Sequence, residues 1–239
     1  MNCLITGASI GIGQSLALKL AGMNYNLMLT YCNNENLCLN LKDYIINNYD
    51  VKCVVKKLDL RDEDNIKNII DEFKNELGNL DILVNNASFS CDNLIEDKTK
   101  EEFMDVLDVN LVGTFLMCKY GSRIMNKDSL IINMSSTDGI DTYSIYNIDY
   151  AVSKAGIIAL TKSLSLILDG IRVVSIAPNW VDTESTLLMN QDYLQSELNR
   201  IGQDKLIKVE TVVKKIINII VDNSIASGTI IRIDGEENE

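Results

Sequence analysis

The stretch Thr6-Gly7-Ala8-Ser9-Ile10-Gly11-Ile12-Gly13 decides how the chain is read. It follows a short apolar run, Cys3 to Thr6, and opens onto a segment of helical period, Ile12 to Met23. Gly7 turns the chain, Gly11 admits a close approach of the backbone to a pyrophosphate, and Gly13 permits tight helix packing. The helix that follows then presents free N–H groups to phosphate oxygens.

The same alternation continues outward from this loop. Apolar runs at Asn26 to Tyr31, Val51 to Leu58, Ile82 to Val84, Leu130 to Met134, Arg172 to Ile176 and Thr229 to Ile233 give, with the first, seven strands. Helical patterns lie between them at Glu35 to Asn48, Glu63 to Leu77, Lys100 to Asn126 with a break, Asp149 to Leu168, and Glu210 to Asp222. Alternating β and α units with right-handed crossovers build a doubly wound parallel sheet of Rossmann type, helices on both faces and the ligand crevice at the carboxyl ends of the strands. One unit spanning residues 1–239 is expected, with a substrate lid at about 183–209, where helical fragments occur without a strand.

Composition narrows the classes. With 22 basic against 34 acidic residues and a net charge of −12, a general nucleic-acid surface is disfavoured. No run of about 18 apolar residues is read as a membrane span. The opening MNCLITGAS lacks the basic and long apolar regions of a signal peptide. Six scattered cysteines without a Cys-x-x-Cys pair, and no histidine, argue against a metal site and fit reduced thiols of a cytoplasmic protein.

The absence of histidine also removes the usual carrier of protons near neutral pH. Tyr150 and Lys154 in YAVSKAG stand one helical turn apart and supply an alternative. Further landmarks occur in order: Asp59-Leu60, Asn85-Asn86-Ala87-Ser88, Ser135-Ser136, Pro178-Asn-Trp-Val181-Asp-Thr183 and Asp234-Gly235. Together they make the chain resemble the short-chain dehydrogenase/reductase family, with its TGxxxGxG, NNAG, Ser, Tyr-x-x-x-Lys and PGxxxT motifs. The resemblance implies the strand order 3-2-1-4-5-6-7. Within the family, Tyr31-Cys-Asn-Asn-Glu and SKAGIIALTKSL look most like the 3-oxoacyl-acyl-carrier-protein reductase branch.

It also implies roles. Tyr150 resembles the acid/base, Ser136 the hydroxyl that polarises the carbonyl, Lys154 the residue on the nicotinamide ribose, and Asn110 the asparagine that holds a relay water. Cofactor contacts carry over to Thr6, Gly7, Ser9, Ile10, Gly11, Ile12, Gly13, Tyr31, Asn33, Asn34, Asp59, Leu60, Asn86, Ala87, Pro178, Val181 and Thr183, besides Tyr150 and Lys154. Four departures stand out: Ser88, Asn179 and Glu236 replace family glycines, and Ser136 precedes Tyr150 by fourteen residues instead of thirteen. Ser135 and Thr137 are alternative hydroxyl donors across that longer loop, and Asn110 alternatively serves as a kink or cap residue.

A free phenol titrates near about 10, and an ammonium one turn away favours the phenolate. The expected activity is NAD(P)-dependent reduction of a carbonyl, or the reverse oxidation. Acyl-carrier-linked and free small ketone, aldehyde or sugar-like substrates are the alternatives; a catalytically silent nucleotide sensor or scaffold is the non-enzyme reading. Thr30 and Tyr31 stand where an acidic residue would bind the ribose hydroxyls of NAD, so NADP is favoured, although Ile10 supplies no cation for its 2′-phosphate. A basic stripe at Lys119, Arg123 and Lys127 is expected along one helix. A homotetramer or homodimer is implied by the resemblance.

Overall fold

The structure, a computed structural model, describes residues 1–236. Seven strands form one parallel sheet: β1 (Asn2–Ile5), β2 (Asn26–Tyr31), β3 (Cys53–Lys57), β4 (Leu80–Asn85), β5 (Met125–Met134), β6 (Arg172–Pro178) and β7 (Ile230–Ile233). Their order is β3-β2-β1-β4-β5-β6-β7, as expected. The order reverses at β1, and β1 and β4 pair through Cys3 with Ile82 and Ile5 with Val84. That reversal opens the crevice in which the glycine loop lies.

Alternation along each strand builds two cores. Cys3, Ile5, Leu27, Leu29, Ile82 and Val84 pack toward α1 (Gly11–Ala21), α2 (Glu35–Asn48) and α9 (Val209–Val221). Leu4, Met28, Leu83, Ile131 and Val173 face the other way, onto α3 (Glu63–Leu77), α5 (Gly113–Gly121) and α6 (Ile148–Ile167). Both faces are therefore apolar, the mark of a sheet covered on two sides.

The segment expected as one broken helix from Lys100 to Asn126 is α4 (Lys100–Leu107), a π-helical turn over Asp108–Val112, then α5, a short 3-10 turn and the start of β5. Gly113 sits where a Cβ would lie 2.6 Å from Leu60 Cβ, so the break lets the helix settle on the loop after β3. Since α5 ends at Gly121 and Lys127 lies in β5, the three expected cations do not share a helix. Lys119 and Arg123 instead stack on the Tyr120 ring at 4.8 and 4.7 Å, and Lys127 begins β5 at the end of the sheet opposite the crevice.

Helix α6 corrects another expectation: by length and apolar composition alone it would pass for a membrane span. It nonetheless carries buried Asp149 and Lys154 and packs on β6. The 183–209 insert contains α7 (Glu184–Leu187) and α8 (Gln191–Ile201), the latter closed by Gly202 at φ +70. Val181 pairs with Ile207, so the insert leaves and rejoins the fold at neighbouring points.

Candidate active site

A cleft of about 580 Å³ runs along the carboxyl ends of the strands. Apart from Thr6, Gly13 and Asn110, every residue expected at the site lines it. Those three act from behind. The Thr6 hydroxyl oxygen accepts from the backbone N–H of Asn86 and of Ala87, both at 3.0 Å. The Asn86 amide donates to the Thr6 and Gly7 carbonyls at 3.0 and 2.9 Å. A Cβ on Gly13 would meet Gly7 O at 2.6 Å, so loop and helix touch backbone to backbone.

Gly7 and Gly11 hold φ of +64 and +57, the left-handed region that glycine enters without strain. A Cβ at Gly11 would come within 3.3 Å of Thr183 Cγ2, which brings the insert over the loop. Ile10, the residue capping α1, offers no side-chain acceptor, and the first turn has no acidic residue. By contrast α3 is capped by Asp62, and α4 by the Thr99–Glu102 box. The uncapped N–H groups of α1 face the cleft with the positive end of the helix dipole, so the donor set fits a pyrophosphate.

The far end of the cleft holds the side chains expected to be catalytic. Ser136 caps the 3-10 turn Thr137–Gly139 by accepting from Asp138 N at 3.1 Å, and its hydroxyl is close enough to the Tyr150 phenol to favour the phenolate. The other two candidates are engaged elsewhere: Ser135 donates to the Lys154 carbonyl at 2.8 Å, and Thr137 to Asn179 Oδ1 at 3.0 Å. Lys154 Nζ donates to the Met134 carbonyl at 2.8 Å and lies 5.2 Å from the centre of the Tyr150 ring. Burial brings this ammonium down to about 8, opposed by the charge of Asp138.

The phenol departs from expectation. Burial, with a smaller push from Asp138, raises Tyr150 well above its ordinary value, and the Ser136 hydroxyl only partly offsets this. In the protein alone Tyr150 is thus a protonated donor at neutral pH.

Asn110 lies in the π-helical turn with a fully engaged side chain. Its Oδ1 accepts from Phe89 N at 2.8 Å, and its Nδ2 donates to Phe89 O at 2.9 Å and Ser153 Oγ at 3.0 Å. These bonds hold the loop after β4 against α6, next to Tyr150.

Sequence reading missed four residues. Arg61 lines the adenosine end and grips Asp59 with two bonds, at 2.9 and 2.8 Å, holding that carboxyl below its usual range. Asp92, Asp138 and Asn147 line the opposite end. A signal for Asp138 was present, because it falls inside the loop that is one residue longer than the family interval.

Strand order, uncapped glycine loop and the Ser136–Tyr150–Lys154 cluster define the class of nicotinamide-nucleotide oxidoreductases. Comparison carries the identification further. A family model described as enoyl-(acyl carrier protein) reductase matches residues 7–235. The 3-oxoacyl-[acyl-carrier-protein] reductase of Staphylococcus aureus is 35% identical over 216 residues, 85% of each chain. That of Aquifex aeolicus is 30% identical over 97% of this chain and 95% of its own. Among solved structures, a short chain dehydrogenase from Burkholderia cenocepacia in complex with NADP superposes with a TM-score of 0.90, at 25% identity over 97% of this chain and 95% of that one. The chain belongs to the short-chain dehydrogenase/reductase family and is an NAD(P)-dependent oxidoreductase.

One ion pair ties the site together. Lys98 Nζ lies 2.9 Å from Asp149 Oδ2, with side chains only 3% and 0% exposed, and also donates to the Cys91 carbonyl. Asp149 Oδ1 accepts from Tyr150 N at 2.9 Å. Lys98→Met strands a buried carboxylate, so stability should fall by about 3–5 kcal/mol, a drop in Tm of about 6–20 °C by calorimetry. Adding Asp149→Leu should recover part of the loss; a single-variant Tm within about 2 °C of wild type, worth about 1 kcal/mol or less, would remove the pair from the account.

Proposed function

We propose that the protein reduces the 3-oxo group of an acyl thioester, carrier-linked in the cell, to the alcohol, with Tyr150 as proton donor. The observation that carries this is the Ser136–Tyr150 pair, two neighbouring hydroxyls at the end of a cleft whose other end fits a dinucleotide. The reductases of Staphylococcus aureus and Aquifex aeolicus, similar along most of their length, support the acyl substrate.

A nicotinamide cofactor bound along the glycine loop supplies the hydride. Ser136 and Tyr150 hold the carbonyl oxygen, on which negative charge develops, and Tyr150 releases its proton to that oxygen. The raised phenol suits this direction, because the acid form predominates at neutral pH. Lys154 fixes the end of β5 and the ribose side of the cleft. Asn110 positions α6 and the Phe89 loop. Helices α7 and α8 act as a lid, with Ser185, Thr186 and Met189 reaching the cleft, over a single nucleotide-binding unit.

Exposed Met104, Val112 and Phe115 on the α4–α5 segment and Ile148 and Val152 on α6 support a dimer or tetramer. Light scattering at micromolar concentration should return a multiple of 26.7 kDa, and a monomer mass would end that reading.

Tyr150→Phe deletes the proton and little else. Reduction of a 3-oxoacyl thioester, followed at 340 nm, should lose about 10²-fold or more in kcat while cofactor binding is retained. In wild type, oxidation of the 3-hydroxy product should keep rising with pH above neutrality, since the phenolate is the base in that direction. Near-normal turnover in Tyr150→Phe, or turnover of an enoyl but not a 3-oxoacyl thioester, would overturn the proposal.

Arg61 provides the cation that sequence reading did not find for NADP. It sits beside Cys32 and Asn33 in the cleft lining, half-exposed and able to turn from Asp59 toward a 2′-phosphate. Arg61→Gln should weaken NADPH binding by about tenfold or more in a fluorescence titration and leave NADH affinity within about twofold. Equal changes for both cofactors would assign Arg61 to loop structure alone.

A further inference from the structure

The substrate end of the cleft is built from hydrogen-bond acceptors. Asn147, the residue that precedes α6, is 7% exposed and lines the cleft, yet it makes no capping bond. Its side chain neighbours the Asp138 carboxyl and favours its charged form, and its Oδ1 has no hydrogen-bond partner. Buried acceptors are almost always paired, and an unpaired one is costly. Asp138 accepts from Thr142 Oγ1 at 2.9 Å and lines the cleft with its remaining capacity. Asp92 lines the same end from the loop after β4. The cations among the lining residues stand elsewhere: Arg61 is at the adenosine end, and Lys154 is committed to the Met134 carbonyl.

We propose that Asn147 Oδ1 and the Asp138 carboxylate form an acceptor wall that takes an N–H or O–H donor carried by the substrate near the reacting carbonyl. The proposal rests on the reading of Ser136 and Tyr150 as the carbonyl site, since Asn147 and Asp138 are placed by the same loop. Its span runs from Ser136 through the 3-10 turn to the start of α6, and Thr142 ties it internally, its hydroxyl oxygen 2.8 Å from Thr137 Oγ1 and sharing one proton between Thr137 and Asp138. Arg200 of α8 closes it from the lid by donating to the Thr142 carbonyl at 3.1 Å. The wall is therefore held on both sides and its acceptors are fixed before substrate arrives.

Two substrate types carry such a donor. A carrier-linked thioester has an amide N–H in its thiol arm; a free hydroxyketone has a neighbouring hydroxyl. The shared chemistry is donation into a preformed pair of oxygens. A substrate without a donor leaves those oxygens unpaired and is selected against.

The test uses the full chain with its cofactor and three carbonyl compounds: the N-acetylcysteamine thioester of 3-oxobutanoate, hydroxyacetone, and ethyl 3-oxobutanoate, which has no donor. The readout is the ratio of kcat/KM for each donor compound to that for the ester. In wild type at least one donor compound should be preferred, and Asn147→Leu should cut that preference by about tenfold or more, chiefly through KM. Loss for the thioester assigns the wall to the amide, and loss for hydroxyacetone assigns it to a hydroxyl. Asp138→Asn, which exchanges one acceptor oxygen for a donor with little change in size, should cut the same preference and decides the matter if Asn147→Leu does not fold. A ratio that neither variant changes would overturn the proposal, as would a wild type that prefers the ester. Failure of wild type to reduce any of the three would instead count against the carbonyl-reductase reading itself.

Discussion

A buried ammonium fixes the active site. Lys154 is 2% exposed, and its Nζ donates to the carbonyl of Met134, the last residue of β5. A charge in that position is tolerated only if it is held by dipoles. The chain around it is shaped accordingly. Ser135 donates to the Lys154 carbonyl, and Gly139 crosses so near that a Cβ would lie 2.5 Å from the Lys154 carbonyl carbon. The junction of β5 with α6 is thus fixed to the residue, and Ser136 and Tyr150, on either side of it, inherit that precision.

The same burial decides the chemistry of the phenol. An ammonium one turn along the helix was expected to favour the phenolate. In the fold, Lys154 lies across the face of the ring and directs its hydrogen bond to a backbone carbonyl. Desolvation and the carboxylate of Asp138 then dominate, and the acid form of Tyr150 is stabilised. Helical spacing brought the two residues together; the direction of each side chain, which spacing does not contain, set the sign of the effect.

What was legible follows the range of the interactions. The seven strands and the glycine loop were read from local signals, because period and turn chemistry are properties of adjacent residues, and the strand order came with the family resemblance. The break in Lys100–Asn126 was read at Asp108 to Asn110, where the π-helical turn lies, but the supposed basic stripe failed because helical period was carried past Gly121, where α5 ends. The Lys98–Asp149 pair spans 51 positions. Arg61 reads as an ordinary charged residue at the start of a helix until the fold lays it beside Cys32 and Asn33. Such features depend on tertiary placement, and a single sequence carries no pattern for them.

Three of the four departures from the family motifs lie around one loop and the insert, Ser88 standing apart in the loop after β4. Asn179, in place of a glycine, accepts from Thr137, in the loop with the additional residue. Thr142 shares its one hydroxyl proton between Thr137 and Asp138, and its carbonyl receives Arg200 from the lid. Glu197, buried at 5% exposure, orients that arginine through a 2.7 Å bond. Glu236, again in place of a glycine, closes the other side of the insert by accepting from Lys208 N and from Thr211 at 2.8 Å. The glycine loop of the dinucleotide half keeps the family spacing because pyrophosphate geometry is constant. Those three departures gather around the loop and insert at the opposite half, and it is there that selection for a particular carbonyl compound has room to act.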